Sequence, residues 1–326
     1  MNQRMFGKTG VKVSEIGLGT WQLGGRWGED YDQKKAESIL RSAVDHEINF
    51  FDTADVYNGG ESEKSIGQFL KNHKNIFVVT KAGRQLNPHT SEMYTPQALE
   101  GFVEDSLKRL DVECLNMVLL HCPPTPVYQK DDVFTALDKM KSAGKIAHFG
   151  VSIEKVSEGI MAMKDYPIAG VEVIFNMFRL KPLDEFLALA EEKQVGTIIR
   201  VPLASGLLTG NYHKDSSFGA GDHRTYNRQG EAFDKGETFS GVDYGKGLEA
   251  VTALKELFGT EELAPIALRW ILMHPQVSTV IPGASSPQQM AENAKATLLP
   301  PLTPEQMDGV KAIYEKYLKD TIHPQW

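Results

Sequence analysis

The chain has 326 residues, 41% hydrophobic and 24% charged, enough apolar material for a large core and too much for a disordered polymer. Its formal net charge is −8, from 35 basic and 43 acidic residues with no Lys/Arg-rich run, which argues against nucleic acid or an anionic membrane as a partner. No stretch approaches the roughly 18 apolar residues of a membrane span. The start, Met1 to Phe6, soon meets Gly7, Lys8 and Gly10 and has no signal-peptide core. Cys114 and Cys122 are too few for a disulfide framework, so a cytoplasmic protein is expected.

The chain opens on Arg4 to Val13, a hairpin pattern with glycine-bearing turns. Eight short apolar runs follow, each with the length and β-branched or aromatic content of a buried parallel strand: 16–21, 48–54, 76–82, 117–122, 146–152, 171–177, 197–203 and 279–283. Amphipathic stretches separate them. Lys34 to His46 puts Ala36, Ile39, Leu40 and Ala43 on one face, and Pro96 to Leu110 begins after Thr95, an N-cap followed by proline. Asp131 to Ala143 stops before Gly144, a C′ glycine. Further helices are expected near 154–164, 183–193, 264–273 and 287–296.

Strict alternation of strand and helix predicts an α/β fold, a (β/α)8 TIM barrel with the N-terminal β-hairpin plugging one end. The whole chain, 1–326, reads as a single domain, since no linker or repeat divides it. The structural alternative is an open doubly wound sheet, but no GxGxxG follows an early strand. Residues 211–247 break the rhythm as a long insertion after strand 7, either a binding loop or a solvated excursion with short helices.

In such a barrel, reactive groups belong at the carboxyl ends of the strands. Asp52, Lys81 and His121 each end a run, and Tyr57 follows Asp52 by five residues in a glycine-bearing loop. Each alone has a bland explanation, such as a snorkelling lysine or a structural histidine. Together they suit proton donation by a phenol. A free tyrosine, with a pKa of about 10, is a weak acid near neutrality. A nearby Lys81 ammonium is expected to lower that value, with Asp52 orienting the ammonium and His121 contacting the substrate oxygen. Neither an HxH at the end of the first strand nor a dense His/Asp set points to a metal.

Several segments together carry a resemblance: Gly17 to Trp21, Phe51 to Tyr57, Val79 to Lys81, Gly150 to Ser152, Pro202 to Gly210 and Ile281 to Ala284. In order and spacing the chain resembles the aldo-keto reductases, most of all the bacterial branch with a Pro-Leu-Ala-Ser-Gly-Leu-Leu-Thr-Gly loop. The resemblance implies NADP(H) bound in extended form without a Rossmann fold, and a small carbonyl compound as substrate. By motif position it makes Tyr57 the general acid and Asp52, Lys81 and His121 its partners. Ser152 and Asn176 match positions that hold the nicotinamide carboxamide. Pro202, Leu203, Ala204, Ser205, Gly206 and Leu207 match the pyrophosphate loop. Gly283, Ser285, Gln289 and Asn293 match the adenosine-phosphate end, and Thr20, Trp21 and Asp52 join the cofactor-binding set. Trp21, Trp27, Tyr57, His121 and Phe178 are expected around the substrate.

Three positions depart from that pattern. Ile153 stands where a polar residue usually follows the serine. Glu172 replaces a glutamine, and Arg200 replaces an aromatic that stacks on the nicotinamide. Both are counted with the cofactor site. Arg200 has two readings, a grip on an anionic substrate group or a buried ion pair, with Glu172 as a candidate partner. Around Gly283, Ser285, Ser286 and Gln289 the chain offers hydroxyls and an amide where strongly NADP-specific members carry Lys or Arg. NADPH is therefore expected with weaker discrimination against NADH, unless Arg224 or Arg228 restores the charge. Cys122 is expected to point away from His121 if the strand continues, as a structural thiol.

The expected activity is reduction of aldehydes or ketones to alcohols by hydride transfer. The alternative is a cofactor-binding regulatory or sensor protein of the same fold. Neither the physiological carbonyl nor the oligomeric state follows from the sequence.

Overall fold

The computed structural model describes residues 1–25 and 29–326. An antiparallel hairpin, β1 (Gln3–Met5) and β2 (Lys12–Ser14), precedes eight parallel strands hydrogen-bonded in chain order. These are β3 (Leu18–Gly19), β4 (Phe50–Asp52), β5 (Phe77–Ala82), β6 (Leu115–His121), β7 (Ile146–Ser152), β8 (Gly170–Ile174), β9 (Gly196–Arg200) and β10 (Thr279–Val280). Ile16 and Gly19 bridge Val280 and Gly283 in parallel, and the Gly17 amide donates to the Val280 carbonyl at 2.7 Å. These bonds close the sheet into the expected barrel rather than an open one.

Outside lie α1 (Gln33–Asp45), α2 (Glu61–Leu70), α3 (Pro96–Leu110), α4 (Asp131–Ser142), α5 (Val156–Asp165) and α6 (Phe186–Glu192). After β9 come α7 (His223–Tyr226), α8 (Tyr244–Phe258) and α9 (Ala264–Leu272), and after β10 come α10 (Pro287–Lys295), α11 (Pro304–Tyr317) and α12 (Lys319–Ile322). The Thr95 cap acts as expected, accepting from the Ala98 amide, and Ser286 caps α10 by accepting from the Gln289 amide. Among the described residues no helix is long and apolar enough to cross a membrane.

The two-residue period of a strand divides the barrel interior into two levels. Phe50, Phe77, Val79, Met117, Leu119 and Ile198 form one inner cluster with Phe6 of the hairpin loop. Phe6 lies over Gly170 and Gly196, where a Cβ would approach its ring to 3.0 and 2.7 Å, so the plug needs both glycines. Two residues further along each strand the inner face turns polar: Asp52 after Phe50, Lys81 after Val79, His121 after Leu119, Glu172 after Gly170 and Arg200 after Ile198. The apolar floor thus sets the register of the polar upper level. Sliding one strand by a single residue would turn both sets outward.

The insertion is tied to the barrel. Tyr212, Phe218, Phe239 and Tyr244 pack in sequence, with Arg224 4.5 Å above the Phe218 ring. Its last residues already belong to α8. The C-terminal segment folds back: Trp326 donates to Asp234 Oδ1 at 3.0 Å and lies under the Arg179 guanidinium at 4.3 Å.

Candidate active site

Lys81 is the centre of the polar level. Its Nζ lies 2.6 Å from both carboxylate oxygens of Asp52, 3.1 Å from the Thr53 carbonyl and 3.3 Å from Glu172 Oε2. It also donates to the Tyr57 hydroxyl at 3.3 Å. Tyr57 comes from the loop after β4, where Asn58, Gly59 and Gly60 all have positive φ, a sharp turn that glycine makes cheap. His121 meets the Tyr57 ring edge-on at 6.0 Å, and Trp21 stacks on it from 6.4 Å.

The charges follow from burial and neighbours. Burial opposes the Lys81 ammonium, but Asp52, Glu172 and Tyr57 outweigh it and hold the lysine well above its ordinary value. Burial, reinforced by Glu172, raises the Asp52 carboxyl well above the usual aspartate range despite Lys81. Tyr57 corrects an expectation. Lys81 pulls its pKa down as anticipated, yet burial together with Asp52 and Glu172 pushes it above 10, so the phenol keeps its proton. Burial, with Lys81 and two arginines nearby, drives His121 well below 6.5, leaving a neutral imidazole whose Nδ1 has no hydrogen-bond partner.

These groups face a cavity of about 450 Å³. Its wall continues through Ser152, Glu172, Arg200, Pro202, Leu203, Ser205 and Gly206 to Gly283 and Gln289. Val201, Ala204, Ser205 and Gly206 all have positive φ, so this wall is a tight left-handed turn, closed on itself by the Ala204 and Gly206 amides, which donate to the Val201 and Leu203 carbonyls. The Tyr212 ring covers Gly206, where a Cβ would meet its hydroxyl oxygen at 2.5 Å. Arg224 joins Tyr212 to the Ser205 carbonyl. At the far end Gln289 Oε1 accepts from the Ser285 amide and hydroxyl at 2.9 and 3.1 Å, beside the N-terminus of α10.

A model of the Aldo/keto reductase family matches residues 15–315. The chain belongs to that family. A probable voltage-gated potassium channel subunit beta of Oryza sativa subsp. japonica is 30% identical, over 98% of this chain and 99% of its own. Aldo-keto reductase yakc [NADP(+)] of Schizosaccharomyces pombe is 28% identical, over 86% and 83%. Among solved structures, the holo form of aldo-keto reductase AKR11C1 from Bacillus halodurans superposes with a TM-score of 0.79 at 25% identity, covering 99% of each chain. Aldo-keto reductases are enzymes that use NAD(P)H, and this site fits such a group. His121 Nδ1 is buried without a hydrogen-bond partner at one end, beside a Glu172 Oε2 held only by its ion pair with Lys81, and the left-handed turn and α10 N-terminus lie at the other.

The structure brings Asp52, Tyr57, His121, Trp21, Ser152, Glu172 and Arg200 to one cavity, with Lys81 fully buried behind Asp52 and Tyr57. Other expected residues sit elsewhere. Thr20 is buried and bonded to the Asp52 carbonyl and Ser62. Asn176 donates to the Val201 carbonyl and Ser240 and accepts from the Phe178 amide, a tight turn after β8 that sends Phe178 into the core instead of the pocket. Ala204 and Leu207 are buried behind the loop, and Asn293 holds the Gly283 carbonyl at 3.2 Å. Trp27 lies outside the described residues. Cys122 faces the cavity beside His121, because the strand ends and φ becomes +46°. Burial pushes its thiol up to about 12, as befits an inert group.

Arg200 forms an ion pair, mainly with Glu237 of the insertion; Glu172 lies 3.8 Å from its Nε, and its Nη2 donates to the Ile153 carbonyl at 2.8 Å. Glu237, Tyr212, His223 and Phe233 of the insertion, a segment expected near the pocket but with none of these four residues singled out, also line the wall, as does Arg84, which was not anticipated. The insertion residues had no periodicity to betray them. Arg84 lies three residues beyond Lys81, and that short reach past a strand end was the available signal.

Proposed function

We propose that this protein reduces aldehyde or ketone carbonyls to alcohols with NADPH. The observation that carries the reading is the Lys81 contact with both Asp52 and Tyr57, beside a neutral His121 in the same cavity. The nicotinamide cofactor, when bound, supplies the hydride that adds to the carbonyl carbon. Tyr57 gives its proton to the oxygen as negative charge develops there, and the Lys81 ammonium stabilises the phenolate left behind. Asp52 holds that ammonium in place. His121, being neutral, donates one hydrogen bond to the carbonyl oxygen and aims it at Tyr57.

Ser152 and Glu172 would hold the nicotinamide end, the 202–206 turn the pyrophosphate, and Ser285 and Gln289 the adenosine phosphate. The relative named for NADP(+) supports the phosphorylated cofactor. NADH use follows from the absence of Lys or Arg at 283, 285, 286 and 289. A cytoplasmic enzyme that acts on small molecules completes this reading.

Absorbance at 340 nm, followed with an aryl aldehyde and NADPH or NADH, tests the assignment. Oxidation that needs protein, aldehyde and cofactor supports it; no oxidation across a panel of aldehydes, with cofactor still bound, moves the assignment to a sensor. That second reading is favoured by the 30% identity to a protein named as a channel subunit. The complete set Asp52, Tyr57, Lys81 and His121 favours turnover.

A further inference from the structure

Among the described residues, three arginines line the cavity: Arg84, Arg200 and Arg224. Arg200 and Arg224 are engaged at short range: Arg200 by Glu237 and the Ile153 carbonyl, with only its Nε, 3.8 Å from Glu172, left without a hydrogen bond, and Arg224 by Asp222 and Tyr212. Arg84 is different. Its guanidinium makes no hydrogen bond among the described residues, and its ion-pair partner, Glu154 Oε1, is 3.7 Å from Nη1, beyond hydrogen-bond range. Burial, with Asp234 and Glu237 nearby, pushes Glu154 up to about 7, so that carboxyl is only partly charged near neutrality.

The backbone holds Arg84 in position. Gly83 before it has φ +109°, and a Cβ there would strike the Tyr94 ring at 2.6 Å, so the turn off β5 is packed and the arginine side chain borders the cavity. Arg84 and His121 line the same cavity, so the guanidinium borders the chamber in which the carbonyl would be reduced.

Resting on the carbonyl-reductase reading, we infer that Arg84 is a specificity residue that pairs with a carboxylate of the substrate, so that the preferred substrates are aldehydes or ketones bearing a carboxylate. A planar guanidinium with vacant donors matches a carboxylate through two parallel hydrogen bonds. The substrate anion competes with Glu154 for the guanidinium.

The test compares 4-carboxybenzaldehyde with its methyl ester. The ester is the more electrophilic aldehyde, so a preference for the acid reads binding and not reactivity. Expected is a kcat/KM for the acid at least about tenfold above that for the ester, carried by KM, and lost about 10- to 100-fold in Arg84→Gln while the ester changes little. Partial recovery is expected in Arg84→Lys, and a lower KM for the acid in Glu154→Gln. Equal use of acid and ester by the unaltered enzyme, or equal losses for both in Arg84→Gln, overturns the inference. Benzoate, which has the anion without the carbonyl, is titrated by calorimetry with and without NADP+. Binding weakened at least tenfold in Arg84→Gln supports the anion site, and unchanged or absent binding overturns it. Absent turnover of both aldehydes with Arg84-dependent benzoate binding would sink the reductase reading and leave the anion site standing.

Discussion

Glu237, carried by the aperiodic insertion, pairs with Nη1 of Arg200, the last inward-facing residue of β9. Both side chains are nearly buried, at 11% and 9% exposure, so the attraction is poorly screened. The pair joins the insertion to the barrel at the cavity wall, and Ser205 adds a second tie by donating to the Glu237 carbonyl at 2.9 Å.

Glu237→Gln leaves Arg200 with the Ile153 carbonyl and a distant Glu172. Removing one partner of a buried pair strands the other charge, at a cost of about 3 kcal/mol. Urea unfolding should show that loss, with weaker NADPH binding because the loop beside Ser205 is less well held. A change below about 0.5 kcal/mol, the scale of an ordinary surface substitution, would show that the pair is idle.

Tyr57→Phe keeps the ring stacked against Trp21 and removes the hydroxyl proposed as the acid. Carbonyl reduction should fall by about 10²- to 10⁴-fold in kcat, with the NADPH dissociation constant unchanged within about twofold. Retained turnover in the variant would place the proton donor elsewhere.

The pH profile follows from the two directions of shift. Tyr57 is raised above 10, so it stays a protonated acid through neutrality, and His121 is lowered well below 6.5, so it stays neutral. Neither titrates between about pH 7 and 9. In single-turnover measurements on benzaldehyde, kcat for reduction should be flat across that window and fall only on the alkaline side, as Tyr57 ionises. A descending step centred near pH 7 would assign the proton to another group.

The strand-end residues were legible because one rule governs them. An apolar inward residue, Phe50, Val79 or Leu119, is followed two places on by Asp52, Lys81 or His121, and a two-residue period can be read from a single chain. The floor of the barrel was legible for the same reason. Glu172 and Arg200 could be placed on their strands, but the partner of Arg200 could not, because Glu237 is 37 positions away in a segment without period. Phe178 was misplaced because nothing in the run 171–177 announces the Asn176 turn that folds it inward. The Tyr57 proton was misjudged for a different reason. A neighbouring ammonium is visible in a motif, whereas burial and the second carboxylate, Glu172, exist only once the barrel closes.

Asp55 is buried with neither carboxylate oxygen hydrogen-bonded, near Glu63 and Arg109. Burial, then Glu63, pushes it to about 7 against Arg109. The folded state therefore holds the proton more tightly than the unfolded chain, whose aspartate has a pKa of about 3.9. Its contribution to stability is fully present below that value and is lost as pH rises through about 7. Asp55→Asn removes this titration. Between pH 5 and 8 the variant should lose less stability than the parent, by about 3 kcal/mol at most, with a residual slope from Glu154. Parallel stability curves for the two proteins would show that Asp55 carries no such linkage.

If Ser285 and Gln289 hold the adenosine phosphate as proposed, Gln289 is the position to change for cofactor preference. Its Oε1 already accepts from both the amide and the hydroxyl of Ser285, so two donors suited to a phosphate are engaged with a neutral amide. Gln289→Arg replaces that acceptor with a guanidinium at the wall of the same cavity, one turn into α10, and frees both Ser285 donors. A charge-assisted bond to the 2′-phosphate should raise the ratio of kcat/KM for NADPH over NADH by about tenfold or more, through KM for NADPH. NADH has no group there to gain from the change, so its KM should stay within about twofold. An equal gain for both cofactors would mean that position 289 meets the shared part of the dinucleotide and that the extra phosphate is held elsewhere, with Arg224 the next residue to replace.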